Sequence, residues 1–143
     1  MILADVNVLL SAFRPDAEHH GLARRWLDGV VNADASYGVS PQVLSSVLRL
    51  ATFRRVFRTP SAPSEVFAFC SQLLEQPNAH VIVPGPRHWS IFEKLCIEAN
   101  ARAHLVPNAW FAALAIEHGC EWITLDRDFA RFPGLTWSVP KLA

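Results

Sequence analysis

Two short apolar runs, one near each end of the chain, stop at an acid and change character at once. Met1-Ile2-Leu3-Ala4 ends at Asp5 and continues as Asn7-Val8-Leu9-Leu10. Trp122-Ile123-Thr124-Leu125 ends at Asp126 and continues as Arg127-Asp128-Phe129. Runs of this length and apolarity read as buried strands, and the first feeds a helix. In a parallel sheet both acids leave from the carboxyl edge, where open α/β sheets bind their ligands. Two carboxylates converging there have no hydrophobic reason to meet. A divalent cation is the usual reason they are tolerated.

Between these runs, strand and helix patterns alternate. Met1–Asp5 reads as the first strand and Asn7–Phe13 as a short helix stopped by Arg14-Pro15-Asp16. Ala17–Val31 carries Leu22, Trp26, Leu27, Val30 and Val31 on one helical face. Tyr37-Gly38-Val39 is a short strand; Ser40 can cap the next helix, with Pro41 at its first position. That helix has Val43, Leu44, Val47, Leu48 and Ala51 on one stripe, and an arginine-rich loop, Phe53–Ala62, follows. Pro63 opens a further helix. Ala79–Val83 is a strand, His88–Asn100 a helix, and Pro107–His118 a helix apolar enough all round to be buried, ended by Gly119. Glu121–Leu125 and Leu135–Val139 are the last strands. This alternation predicts an α/β domain with a central parallel sheet of four or five strands flanked by helices.

Bulk properties narrow the class. A chain of 143 residues, 51% hydrophobic, has one core and reads as a single domain over 1–143. Net charge is zero, so the chain is not broadly basic. Its basic residues are nevertheless uneven: eleven of thirteen are arginine, and Ala35–Ser64 holds no acid while it holds Arg49, Arg54, Arg55 and Arg58. For any one of these arginines a solvated face is the ordinary explanation. The run together keeps a phosphate-facing surface open. Cys70, Cys96 and Cys120 are odd in number and sit among apolar neighbours, which fits reduced core residues in the cytoplasm better than a disulfide frame. No stretch is long and apolar enough to span a bilayer, and no signal peptide precedes the fold. The six histidines show no zinc-ligand spacing. A glycine-rich phosphate loop and a Gly-x-Ser-x-Gly elbow are both missing. Trp26, Trp89, Trp110, Trp122 and Trp137 read as core and interface packing.

Four motifs then carry a resemblance: Asp5-Val6-Asn7-Val8-Leu9 at the start, Ser46-Val47-Leu48-Arg49-Leu50-Ala51-Thr52 on an early helix, Val106-Pro107-Asn108-Ala109-Trp110-Phe111-Ala112-Ala113-Leu114-Ala115 opening a late one, and Thr124-Leu125-Asp126-Arg127-Asp128-Phe129-Ala130-Arg131-Phe132 near the end. In this order, from Met1 to about Pro140, the chain resembles a PIN domain, and more narrowly the VapC toxins of type II toxin–antitoxin pairs. The resemblance implies a PIN-like three-layer fold and a magnesium- or manganese-dependent endoribonuclease. It further implies a cognate VapB-type antitoxin as partner, an RNA substrate and a homodimer. In such an enzyme Arg49, Arg54, Arg55 and Arg58 would contact RNA phosphates.

Phosphodiester hydrolysis needs an activated water and charge relief on the phosphate oxygens. Asp5 and Asp126 supply two hard oxygen ligands, with Asn7 and Thr124 suited to orient them. Asp128 is near but lies two residues on. Alone, Asp5 or Asp126 would be read as a helix or turn cap; at two strand ends together they point to a metal. The chain departs from the family pattern twice. Ser46 stands where the resemblance expects a glutamate, three residues before Arg49, and can hold a water. Asn108 stands where it expects an aspartate, eighteen residues before Asp126. Asn108 is either a cap or first-turn residue of the late helix, or a third metal ligand, a natural or engineered replacement of aspartate that weakens the site. The leading reading is therefore a metal-dependent ribonuclease toxin impaired at Asn108. The competing one is a catalytically weak PIN-like protein that binds antitoxin or RNA. A phospho-acceptor domain is a poor third, because such domains place the acceptor on a middle strand.

Overall fold

The structure, a computed structural model, describes residues 1–142. Ala143, the last residue of the expected domain, lies outside the described residues. Five strands form one sheet in the order β3-β2-β1-β4-β5, and every neighbouring pair is parallel. They are β1 (Ile2–Ala4), β2 (Tyr37–Val39), β3 (Ala79–Val81), β4 (Glu121–Ile123) and β5 (Trp137–Ser138). Six helices connect them: α1 (Val6–Phe13), α2 (His20–Asn32), α3 (Pro41–Ala51), α4 (Pro63–Leu74), α5 (His88–Ala99) and α6 (Leu105–Glu117). The expected parallel sheet flanked by helices is thus present, at the upper of the two strand counts.

The strand order reverses direction after β3. Right-handed crossovers running in opposite directions place their helices on opposite faces. Packing follows that split: α1 rests on α2 and α3, α3 on α4, and α5 on α6. The reversal also makes the gap between β1 and β4 a switch point, the crevice where such sheets hold ligands. Both acids that drew attention in the sequence leave from that gap.

The strands are shorter than the apolar runs suggest. β1 stops at Ala4, and Asp5 has already turned into the cap of α1. β4 stops at Ile123, so Thr124 and Leu125 belong to the turn that delivers Asp126. β3 ends at Val81 and not at Val83, and β5 keeps only two residues of the expected Leu135–Val139 run. The two outer strands lack a neighbour on one side, and pairing there gives out sooner. Helix α2 starts at His20, three residues later than expected, after the turns that follow Arg14-Pro15. Helix α6 starts at Leu105, before Pro107. Proline costs nothing there, because the first-turn N–H groups have no partner within the helix. Asn108 therefore lies inside the first turn and is not the cap.

Ser40 caps α3 as its sequence predicts, accepting a hydrogen bond from the Val43 N–H at 3.2 Å. Gly119, with φ +64°, ends α6 in the left-handed region that favours glycine. Trp122 on β4 is fully buried between Phe111 of α6, stacked at 5.5 Å, and Phe129, at 5.4 Å. Phe129 in turn meets Phe132 at 5.9 Å. These rings pin the short 3-10 turn Arg127–Arg131 to the core and so hold Asp126 in place. Cys70 and Cys120 are buried, Cys96 is half-buried, and all three are free thiols. Among the described residues no helix is long and apolar enough to cross a membrane.

Candidate functional site

Helix α1 begins immediately after β1, so its first residues lie at the carboxyl edge of the central strand. Asp5 is the cap: its Oδ1 accepts from the Val6 N–H at 2.6 Å. Capping was one of two readings of this acid, and it accounts for only one of its two oxygens. Oδ2 accepts from the Thr124 hydroxyl at 2.6 Å and from the Asn7 amide at 3.3 Å. The backbone closes the same seam, since the Asp5 N–H donates to the Ile123 carbonyl at 2.8 Å.

Thr124 is fully buried and organises both acids. Its hydroxyl donates to Asp5 while its oxygen accepts from the Asn7 amide at 3.3 Å and from the Asp126 N–H at 2.9 Å. Asn7 spans the same gap, accepting from the Leu125 N–H at 3.1 Å through its Oδ1. Asn7 and Thr124 thus both bond the Asp5 carboxylate and link it to the turn before Asp126. Asp126 Oδ1 accepts from the Asp128 N–H at 2.9 Å, which makes it the cap of the 3-10 turn. Its Oδ2 faces the Asn108 side-chain amide at 3.4 Å. The structure thus gathers Asp5, Asn7, Thr124, Asp126 and Asn108 at one place.

The remaining candidates fall outside this network. Asp128 turns its carboxylate away, to His104 at 3.8 Å and Arg131 at 3.7 Å. Ser46 is half-buried on α3 with no side-chain hydrogen bond among the described residues. Arg49, Arg54, Arg55 and Arg58 are exposed at the end of α3 and in the loop after it, with no acid within 4 Å among the described residues. Two further charged groups escaped the sequence reading. Arg14 is buried at the end of α1 and grips the arginine-rich loop. Glu117 is buried at the end of α6, where its carboxylate accepts from the Gly85 and Arg87 N–H groups at 2.7 and 2.9 Å. These two N–H groups hold the Glu117 carboxyl below its ordinary range against the opposing push of burial. Glu117 ties down a loop and has no place in the acid pair. The long-range partners of these two groups, Ser61 for Arg14 and Gly85 and Arg87 for Glu117, lie 30 or more residues away and leave no local signal.

Electrostatically Asp5 is strained. Burial pushes the Asp5 pKa from 3.8 up to about 6; the Thr124 hydroxyl and Val6 N–H pull it back, and the charge of Asp126 adds to the rise. Among the described residues no basic side chain lies within 4 Å of either acid to offset this. The donor set has the chemistry of a hard divalent cation's ligands: two carboxylates and an amide that can present its carbonyl. It is a thin set. Among the described residues no group of three His, Cys, Asp or Glu side chains is placed to hold a metal. Asn108, the third polar side chain beside Asp126, is uncharged.

Comparison with known proteins places the geometry in context. The PIN domain family model matches residues 2–135. Ribonuclease VapC31 of Mycobacterium tuberculosis is 45% identical over 142 residues, covering 99% of this chain and all of that protein. Ribonuclease VapC25 of the same organism is 46% identical, with the same coverage. Among solved structures, VapBC2 from Rickettsia felis, bound to a DNA fragment from its promoter, superimposes with a TM-score of 0.71 at 14% identity over 97% of this chain and 98% of that one. Mycobacterium tuberculosis VapC20, a toxin that cleaves the sarcin–ricin loop, gives 0.66 at 18% identity over 95% and 99%.

Proposed function

We infer the function from one premise: the chain belongs to the PIN domain family. We propose that it is a ribonuclease toxin of the VapC type, a single domain that cuts RNA with a magnesium or manganese ion and is held in check by a cognate antitoxin. The observation that carries this reading is the unneutralised pair Asp5 and Asp126 at the β1–β4 switch point, braced by Thr124 and Asn7. Relatives named as ribonucleases at 45–46% identity over essentially the whole chain support it.

Asp5 and Asp126 would hold the ion, with the Asn108 carbonyl as a weak third ligand. The bound ion supplies Lewis-acid charge relief to the scissile phosphate. The chain's own residues do the rest. Thr124 and Asn7 fix the Asp5 carboxylate by two donated hydrogen bonds, so that it does not rotate when substrate enters. The Asp128 N–H fixes Asp126 in the same way. Arg49, Arg54, Arg55 and Arg58 would draw the RNA backbone in through its phosphates. Ser46 and Asp128 are lesser candidates, for a water and for an outer carboxylate respectively.

The partner we expect is a small antitoxin whose C-terminal tail lays an arginine or lysine across Asp5 and Asp126, because a guanidinium satisfies an unpaired carboxylate pair bidentately. Structures of VapBC complexes share the fold. A homodimer is part of the same reading. Asn108 favours a second reading, in which the protein binds antitoxin or RNA without cutting efficiently: its amide donates to Asp126 and adds no charge. One experiment separates the two. Total RNA is incubated with the purified chain and manganese, beside the Asp5→Ala variant. Cleavage by the parent and not by the variant supports the nuclease. Equal, negligible cleavage by both favours the binding protein.

A further inference from the structure

Helix α1 carries Asp5 as its first cap and Arg14 as its last, with eight helical residues between them and roughly 13 Å of rise. Arg14 is 9% exposed, unusual for a residue of its type. Three of its five N–H donors and one face of the group are engaged. Nε and Nη2 form a fork on Asp16, at 2.8 and 2.6 Å. Nη1 donates to the Ser61 hydroxyl at 2.8 Å. The face of the group lies over the Phe57 ring, 4.1 Å from its centroid. Asp16 follows Arg14 in the chain, whereas Phe57 and Ser61 belong to the arginine-rich loop between α3 and α4.

That loop is otherwise lightly held. Its first residues coil back on Phe53, with the Val56 and Phe57 N–H groups donating to the Phe53 carbonyl, and its far end returns to α3 through Ser61 N–H to the Ala51 carbonyl at 2.9 Å. Between those points Arg54, Arg55 and Arg58 all face solvent. Arg14 is not placed to be a phosphate contact, since it is buried and its fork is closed on Asp16. We propose that Arg14 is instead a positioning residue: a latch that ties the arginine loop to the helix bearing Asp5, so that the loop presents Arg54, Arg55 and Arg58 to the RNA backbone in one fixed arrangement. The inference rests on the proposed role of those three arginines, and its test keeps the two apart.

Two variants open the latch. Arg14→Lys keeps the charge and most of the stem but can neither fork onto a carboxylate nor lie flat on a ring. Ser61→Ala cuts only the loop side, and Ser61→Thr restores the hydroxyl; these carry the test should Arg14→Lys fail to fold. The first readout is limited trypsin digestion, which reports the loop directly at Arg54, Arg55 and Arg58. The second is binding of a fluorescein-labelled, mixed-sequence single-stranded RNA, measured in EDTA across a salt series. A triple Arg54→Ala/Arg55→Ala/Arg58→Ala variant is the reference.

We expect Arg14→Lys and Ser61→Ala to be cut faster in the loop, and Ser61→Thr to be cut as slowly as the parent. We expect both latch variants to bind RNA more weakly, with a shallower salt slope. The triple variant loses up to about 2 in that slope, at about 0.7 per phosphate contact on a single strand. Arg14→Lys placed in the triple background should change binding no further. Unchanged loop cleavage in both latch variants overturns the latch whatever the RNA does. Faster cleavage with unaltered RNA binding, while the triple variant binds weakly, overturns the positioning role. Normal RNA binding by the triple variant overturns the arginine reading itself, and with it the purpose assigned to the latch.

Discussion

On the proposed reading, a single amide sets how well the acid pair can work. Asn108 faces Asp126 at 3.4 Å with a donor where a third carboxylate would bring a full negative charge. Asn108→Asp should therefore raise manganese-dependent RNA cleavage by about tenfold or more, because ion–carboxylate attraction outweighs ion–amide attraction. Gel analysis of total RNA would show it; an aspartate variant no faster than the parent would leave Asn108 as a first-turn residue with no part in chemistry. Thr124 is the complementary case. Removing its hydroxyl with Thr124→Val takes a donor from Asp5 and an acceptor from Asn7 and the Asp126 N–H. Loss of such an orienting partner costs about 10–100-fold in metal affinity or activity, which titration calorimetry with manganese can read. Asp5 also makes metal-free stability depend on pH. Its pKa is about 6 folded against 3.8 as the ordinary value, so the folded state holds the proton more tightly. Its contribution is whole below pH 3.8 and drains away as pH climbs toward 6, a loss of about 3 kcal/mol. Denaturant unfolding in EDTA from pH 4 to 7 should show the parent losing that much relative to Asp5→Asn; parallel curves for the two proteins would contradict it.

Elements were legible where one periodicity ruled and blurred where two signals met. Ser40-Pro41 announced α3 because a capping hydroxyl and a first-position proline both act locally, and the structure uses both. Ser40→Ala should cost about 1 kcal/mol in chemical denaturation and leave metal binding untouched. Pro107 misplaced the start of α6, because proline marks a first turn as readily as a first residue. Strand ends were overrun at Asp5 and Leu125, since an apolar run continues into a turn whenever the turn is also buried. Arg14 was invisible for a different reason. Its partner Ser61 lies 47 residues away, and nothing in the residues beside Arg14 records that contact. The acid pair was readable, by contrast, because each acid closes an apolar run of its own.

At the level of the whole molecule, alternation sufficed for a parallel sheet, but strand order was not written in it. The order β3-β2-β1-β4-β5 puts the first and fourth strands side by side, and that adjacency turns two remote acids into neighbours. If an ion binds between them, it stabilises the fold by mass action. Manganese at 100 times its dissociation constant should add about 2.7 kcal/mol to the parent and raise its melting temperature, with no rise for Asp126→Ala. An equal rise in both proteins would place the ion elsewhere.

The bond from Thr124 to Asp5 joins residues 119 apart. A ribosome makes a chain from its amino end onward, at about 5–20 residues per second. Through most of that synthesis Asp5 is present and the residues that brace it are not. The pocket cannot assemble on the nascent chain until β4 and the turn after it have emerged and slid in beside β1. A protein able to destroy the RNA around it would thus stay harmless until that late segment is in place, and a waiting partner could meet it then.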